Sequence, residues 1–132
     1  MKDKIKLTLA NLLDRKSKQD KMGLSTFYLE SLDANLPIVK IKTRKLCEIM
    51  DKYEQGTEKF TPALDMMAEI VYKCVPMLKD KDLQKQLDVP TPYEVVGELF
   101  TFSELEKITQ HILEIHGMKD KDKNPVNDEI KN

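Results

Sequence analysis

The sequence has no tryptophan, and only two histidines, two cysteines and four glycines among its 132 residues. Each shortage closes off a class of function. Glycine occurs only at Gly23, Gly56, Gly97 and Gly117, so no glycine-rich loop can wrap backbone N–H groups around a phosphate. Cys47 and Cys74 stand alone and far apart, which fits neither a disulfide framework nor a paired metal-ligand motif. A reducing, cytoplasmic setting is the default for such a pattern. His111 and His116 are separated by about 140° around a helix, so they miss the i, i+4 geometry that grips zinc. They read as two partly exposed helix histidines. Apolar runs fall short of the roughly 18 residues that cross a bilayer, and the opening MKDKIKLTLANLL lacks the uninterrupted apolar stretch of a signal peptide. Aromatic residues are scarce, and Phe27 and Tyr28 would face opposite ways on a strand, which gives no base-stacking platform. No nucleophile, base and anion site come together anywhere, so no catalytic, cofactor or metal-binding residue is expected.

What is abundant is charge, and it is unevenly spread. The net charge is −1. Residues 1–21 carry seven Lys/Arg against three Asp, whereas residues 22–118 carry eleven positive against sixteen negative groups. A nucleic-acid binder usually has a basic folded domain; here only the N-terminal arm is basic, and its default reading is a solvated tail. In that arm Ile5, Leu7, Leu9, Leu12 and Leu13 precede the polar DRKSKQDK, so residues 1–23 read as a flexible basic arm with a short apolar segment. The far end, KDKDKNPVNDEIKN, holds only Val126 and Ile130 as large apolar residues. Residues 119–132 are therefore expected to be a disordered tail. The helical domain should occupy residues 24–118.

Within it, TFYLESL (26–32) and IVKIK (38–42) read as a short hairpin, with Asp33, Ala34, Asn35 and Pro37 supplying the turn. The rest follows helical spacing, which makes the chain mainly α, with four to six helices. Thr43 is a candidate N-cap for a helix with Leu46, Ile49, Met50 and Tyr53 on one face, stopped near Gly56. Thr61-Pro62 suits a cap followed by proline at the first position, and Leu64, Met67, Ala68, Val71, Cys74 and Val75 then line one side until Pro76. Asp80 can cap a short helix through Leu87. Thr91–Glu94 and Thr101–Glu104 both spell a capping box. Leu105, Ile108, Ile112 and Ile115 form the last apolar stripe, and Gly117 suits a left-handed stop.

The segment VPMLKDKDLQKQLDVPTPYEVVGELFTFSELEKITQHILEIHGM, together with FYLESLDANLPIVKIKTRKLCEIMD upstream, resembles the tail assembly chaperones of PBSX-type prophages and related phages of Gram-positive bacteria. The likeness extends over about residues 25–118. It implies a small helical protein without enzymatic activity, acting in the host bacterial cytoplasm. Its partner would be the long tape measure protein, kept soluble while the tail tube assembles around it. A longer, frameshifted form would recruit the tail tube protein through a C-terminal extension. The resemblance transfers no functional residue position by position.

Physical reasoning supplies candidates instead. A tape measure exposes long apolar helical stripes, which a groove between amphipathic helices could cover. Flexible thioethers and exposed rings suit such a groove, so Met66, Met67, Phe100 and Phe102 are the partner-binding candidates. The plainer reading makes the methionines gap-fillers and the two phenylalanines core staples. Self-association through an open hairpin edge stays open. The competing functional reading is a small helical adaptor or regulatory protein whose basic arm touches nucleic acid.

Overall fold

The computed structural model of the protein describes residues 6–21, 24–53 and 59–118. The expected stop at Gly56 and the expected tail at 119–132 lie outside those residues. Thr8 and Asn11 open the first helix, α1 (Leu9–Lys21). The Asn11 N–H donates to the Thr8 hydroxyl at 3.2 Å, and the Thr8 N–H donates back to the Asn11 side-chain oxygen at 3.1 Å. This is a capping box with Asn in place of Glu or Gln. The polar stretch expected to be part of a flexible arm therefore continues a helix, supported by an exposed Lys18–Asp14 pair one turn apart.

A hairpin follows, with β1 (Leu24–Leu29) antiparallel to β2 (Ala34–Val39). The turn falls earlier than the composition suggested. Glu30–Leu32 form a single 3₁₀ turn and Asp33 adopts the left-handed conformation at φ 48°, which Asp tolerates better than most residues. Ala34, Asn35 and Pro37 are strand residues, not turn residues. Pro37 stands opposite Thr26; in a two-stranded ribbon every strand has an open edge, where a missing N–H is tolerated. Leu29 and Ile38 are buried, and Phe27 and Leu36 pack beside them, while Tyr28 faces outward.

Helix α2 (Thr43–Lys52) buries Leu46 and Ile49. Its N-cap is Lys42, and Thr43 makes no side-chain cap. Helix α3 (Phe60–Cys74) likewise starts before the expected Thr61-Pro62 signal, with Lys59 as its N-cap. Pro62 still falls in the first turn, where its absent N–H has no helical partner to lose. Pro76 ends α3 as expected and begins a 3₁₀ turn, Pro76–Lys79, that buries Leu78. Asp80 caps α4 (Lys81–Leu87) by accepting from the N–H groups of Asp82 and Leu83. Thr91 forms only half of its box: its N–H and hydroxyl both donate to Glu94, and α5 (Glu94–Leu99) starts two residues beyond the expected position.

The box at Thr101–Glu104 is complete and opens α6 (Phe102–Ile115). Gly117, at φ 76°, closes it. The Gly117 N–H reaches the Glu114 carbonyl and the Met118 N–H the Leu113 carbonyl, the bond pair of a Schellman stop. Among the described residues the protein is thus six α-helices and one hairpin. Helix α3 is central, packed against α2, α5 and α6, while β1 lies on α6. The core joins Leu46, Ile70, Val71, Cys74, Val95, Val96, Leu105, Ile108 and Ile112 with the inner hairpin face.

Candidate functional site

Helices α3 and α5 border an open concavity. Val95 and Val96 anchor α5 in the core, which turns Glu94, Gly97 and Glu98 outward on one helical face at i, i+3 and i+4. Across from them α3 presents Leu64, Asp65 and Ala68. Between the two helices lies an open cleft of about 470 Å³, lined also by Tyr53, Thr91 and Tyr93. A Cβ added at Gly97 would meet no atom within 4 Å, so the floor is open and backbone can approach closely there.

Two tyrosines set the walls. Tyr93 meets Tyr72 edge to face, with ring centroids 5.2 Å apart, and the Tyr72 hydroxyl accepts from Gln84 on α4 at 3.2 Å. Tyr53 follows α2 and donates to the Glu69 carboxylate at 2.9 Å. Glu69 is only 4% exposed, and Lys52 neutralises it at 2.7 Å. Burial pushes the Tyr53 hydroxyl up to about 12, with the hydrogen bond and charge of Glu69 adding to it. Tyr53 is thus held neutral and pinned beside the cleft. The rim is acidic: Glu94 is bonded to Thr91, while Asp65 and Glu98 have no cation within ion-pair distance among the described residues. Apolar walls beneath a carboxylate rim suit a helix with an apolar stripe and basic flanks.

The four candidates named from sequence lie elsewhere. Met67 is 5% exposed and belongs to the core, and Met66 is half-buried on the same helix. Phe100 and Phe102 pack against the core at the α5–α6 junction. Phe102 also stacks edge-on against Phe60, with centroids 5.7 Å apart, and Phe60 is 80% exposed. Phe102 therefore takes part in an accessible aromatic pair, and none of the four lines the α3–α5 cleft.

The histidines are also better tied than expected. His111 shares a 3.0 Å hydrogen bond with Ser25, and its ring packs on Phe27. His116 is buried, not partly exposed: Nδ1 lies 2.7 Å from the Ile112 carbonyl, and Nε2 lies 3.1 Å from the Ile41 N and 3.0 Å from the Ile41 carbonyl. These contacts fasten the chain after β2 to the end of α6. Cys74 is buried in the core and Cys47 half-buried. Among the described residues no group of three or more His, Cys, Asp or Glu is placed to hold a metal ion, and no helix is long and apolar enough to cross a membrane.

The body is thus helical, with an open, carboxylate-rimmed cleft between two of its helices. The model of the phage XkdN-like tail assembly chaperone protein matches residues 9–131, and the chain belongs to that family. Neither the curated proteins nor the solved structures contain a match to it.

Proposed function

We propose that the protein is a non-enzymatic chaperone that binds the tape measure protein of its phage in the host bacterial cytoplasm and keeps it soluble until the tail tube replaces it. The observation that carries this reading is family membership over nearly the whole chain. The α3–α5 cleft supports it by offering apolar walls at Leu64, Ala68, Tyr53 and Tyr93 to an amphipathic helix of the client. The Phe60–Phe102 pair extends the apolar surface available near the start of α3. The open form of the cleft favours weak, broad and reversible contact, which a chaperone that must leave requires. On the same reading the tail tube protein is met through a C-terminal extension in a longer, frameshifted form.

The test is co-expression with the tape measure protein of the same genome, followed by soluble yield and co-elution on size exclusion. The wild type should solubilise the client. Leu64→Glu with Tyr93→Ala should lose most of that effect while keeping helical circular dichroism. Phe100→Ser with Phe102→Ser tests the sequence-derived surface separately. A client that stays insoluble beside abundant, folded wild-type protein overturns the reading.

A further inference from the structure

Helix α1 presents an apolar face that nothing among the described residues covers. Leu9, Leu12 and Leu13 fall at i, i+3 and i+4, on one side of the helix, and all are exposed, Leu9 at 73% and Leu13 at 63%. A 13-residue helix is marginal in water unless an apolar face is packed. The same arm is basic, with residues 1–21 carrying seven Lys/Arg against three Asp. The α3–α5 cleft offers the complement: apolar walls, an open floor at Gly97, and Asp65 and Glu98 without cation partners among the described residues.

Two residues separate α1 from β1, β1 packs on α6, α6 on α3, and α3 on α5. Within its own chain α1 leaves Leu9, Leu12 and Leu13 exposed, and none of its described residues lines the cleft. The arm of a second copy can bring the same stripe to it. We propose that α1 of one copy docks into the α3–α5 cleft of another, and that reciprocal exchange about a twofold axis makes a weak, salt-sensitive dimer. Two equivalent arm–cleft contacts then form together. The leucine stripe covers the apolar walls and the basic flank meets the carboxylate rim. A helix face of this size buries less surface than a permanent interface does, so the dimer opens readily. The arm therefore shields the cleft until a client helix displaces it; this last clause alone rests on the proposed function.

Sedimentation equilibrium of the full chain tests the dimer without any client, so its outcome is separable from the co-expression result. The wild type should show concentration-dependent dimerisation that weakens as salt rises. Leu12→Ser with Leu13→Ser removes the arm's stripe. Gly97→Leu adds bulk to the cleft from a position where an added Cβ meets no atom within 4 Å and where a helix favours leucine over glycine. Each variant should weaken association by about tenfold or more, with circular dichroism unchanged. Mixing the two variants should restore one contact, because the intact arm of the Gly97→Leu chain meets the intact cleft of the other. If Gly97→Leu disturbs the fold, Asp65→Lys with Glu98→Lys tests the same contact by charge. A wild type that is monomeric at all concentrations, or a dimer indifferent to both cleft variants, overturns the proposal. So does failure of the mixed variants to associate.

Discussion

Glu69 is the residue whose removal tests the internal logic of the body most sharply. It is a carboxylate on the buried side of α3, and its partners, Lys52 and Tyr53, come from the end of α2. The Lys52 side chain is 57% exposed, so on losing its partner it returns to water, and that half of the pair is worth at most about 1 kcal/mol. The Tyr53 hydroxyl is different: a hydrogen bond to a charged acceptor contributes roughly 1.5–3 kcal/mol. Glu69→Ala should therefore cost about 2–4 kcal/mol, and Glu69→Gln, whose amide oxygen still accepts from Tyr53, about 1 kcal/mol. For a body of this size each kcal/mol lowers Tm by roughly 4–8 °C. Urea unfolding followed by circular dichroism, run as a double-mutant cycle with Tyr53→Phe, isolates the Glu69–Tyr53 term at about 1 kcal/mol or more. The pH dependence adds a second readout. Tyr53 ionises near 10 when unfolded and is pushed up to about 12 when folded. Its contribution is complete below about pH 10 and disappears as pH rises through about 12. In Glu69→Gln the window narrows, because burial remains and the carboxylate does not. Equal losses for Gln and Ala, or a coupling below about 0.5 kcal/mol, would refute the account.

Two further outcomes follow from the same structure. The Glu104 carboxyl is held below the ordinary carboxylate range by the Ser31 hydroxyl and by the Thr101 N–H and hydroxyl. The stability it supplies is present above the unfolded value of about 4.3 and lost as pH falls through the lower folded value. Ser31→Ala should flatten that acid limb of the unfolding curve, and Thr101→Ala should cost about 1 kcal/mol by removing the cap. Burial pushes the Cys74 thiol up to about 11, only partly opposed by Lys79, so it holds little thiolate near neutrality. Native protein should take one maleimide, at Cys47, and a second only in denaturant; two labels at equal rates by mass spectrometry would contradict the burial.

The parts of the fold that were legible in the sequence are those where a local signal has a local cause. Asp80, the Thr101–Glu104 box, Pro76 and Gly117 each act on backbone groups within a few residues, and each stands where its chemistry indicated. The misplaced starts share the opposite cause. Thr43 and Thr61 carry cap chemistry, yet α2 and α3 begin at or before them, because burying Leu46 and the inner face of α3 fixes the helix more strongly than a single cap bond worth about 1 kcal/mol. The turn at Asp33 follows the same rule. Phe27, Leu29, Leu36 and Ile38 must face one way, and with a period of two this register makes Ala34–Val39 a strand, whatever turn propensity Asn35 and Pro37 have.

The candidate site was the least legible part, and the reason is geometric. Its apolar walls come from Tyr53, Leu64, Ala68 and Tyr93, contributed by three stretches of chain that no local pattern connects. Methionine and phenylalanine stand out by type, but type does not say on which side of a helix a residue falls relative to its neighbours; Met67 is buried in the core with Ile70 and Val71 of the same helix. Gly97 gave the opposite signal. In a helix of six residues a glycine is unfavourable by about 1 kcal/mol relative to alanine, and no turn, positive φ or backbone contact requires it. A local penalty without a local reason points to a requirement outside the chain's own packing. The docked helix proposed for the cleft would supply that requirement, so Gly97→Ala, which adds a single methyl group, should leave the isolated body as stable or more stable and weaken only what docks in the cleft.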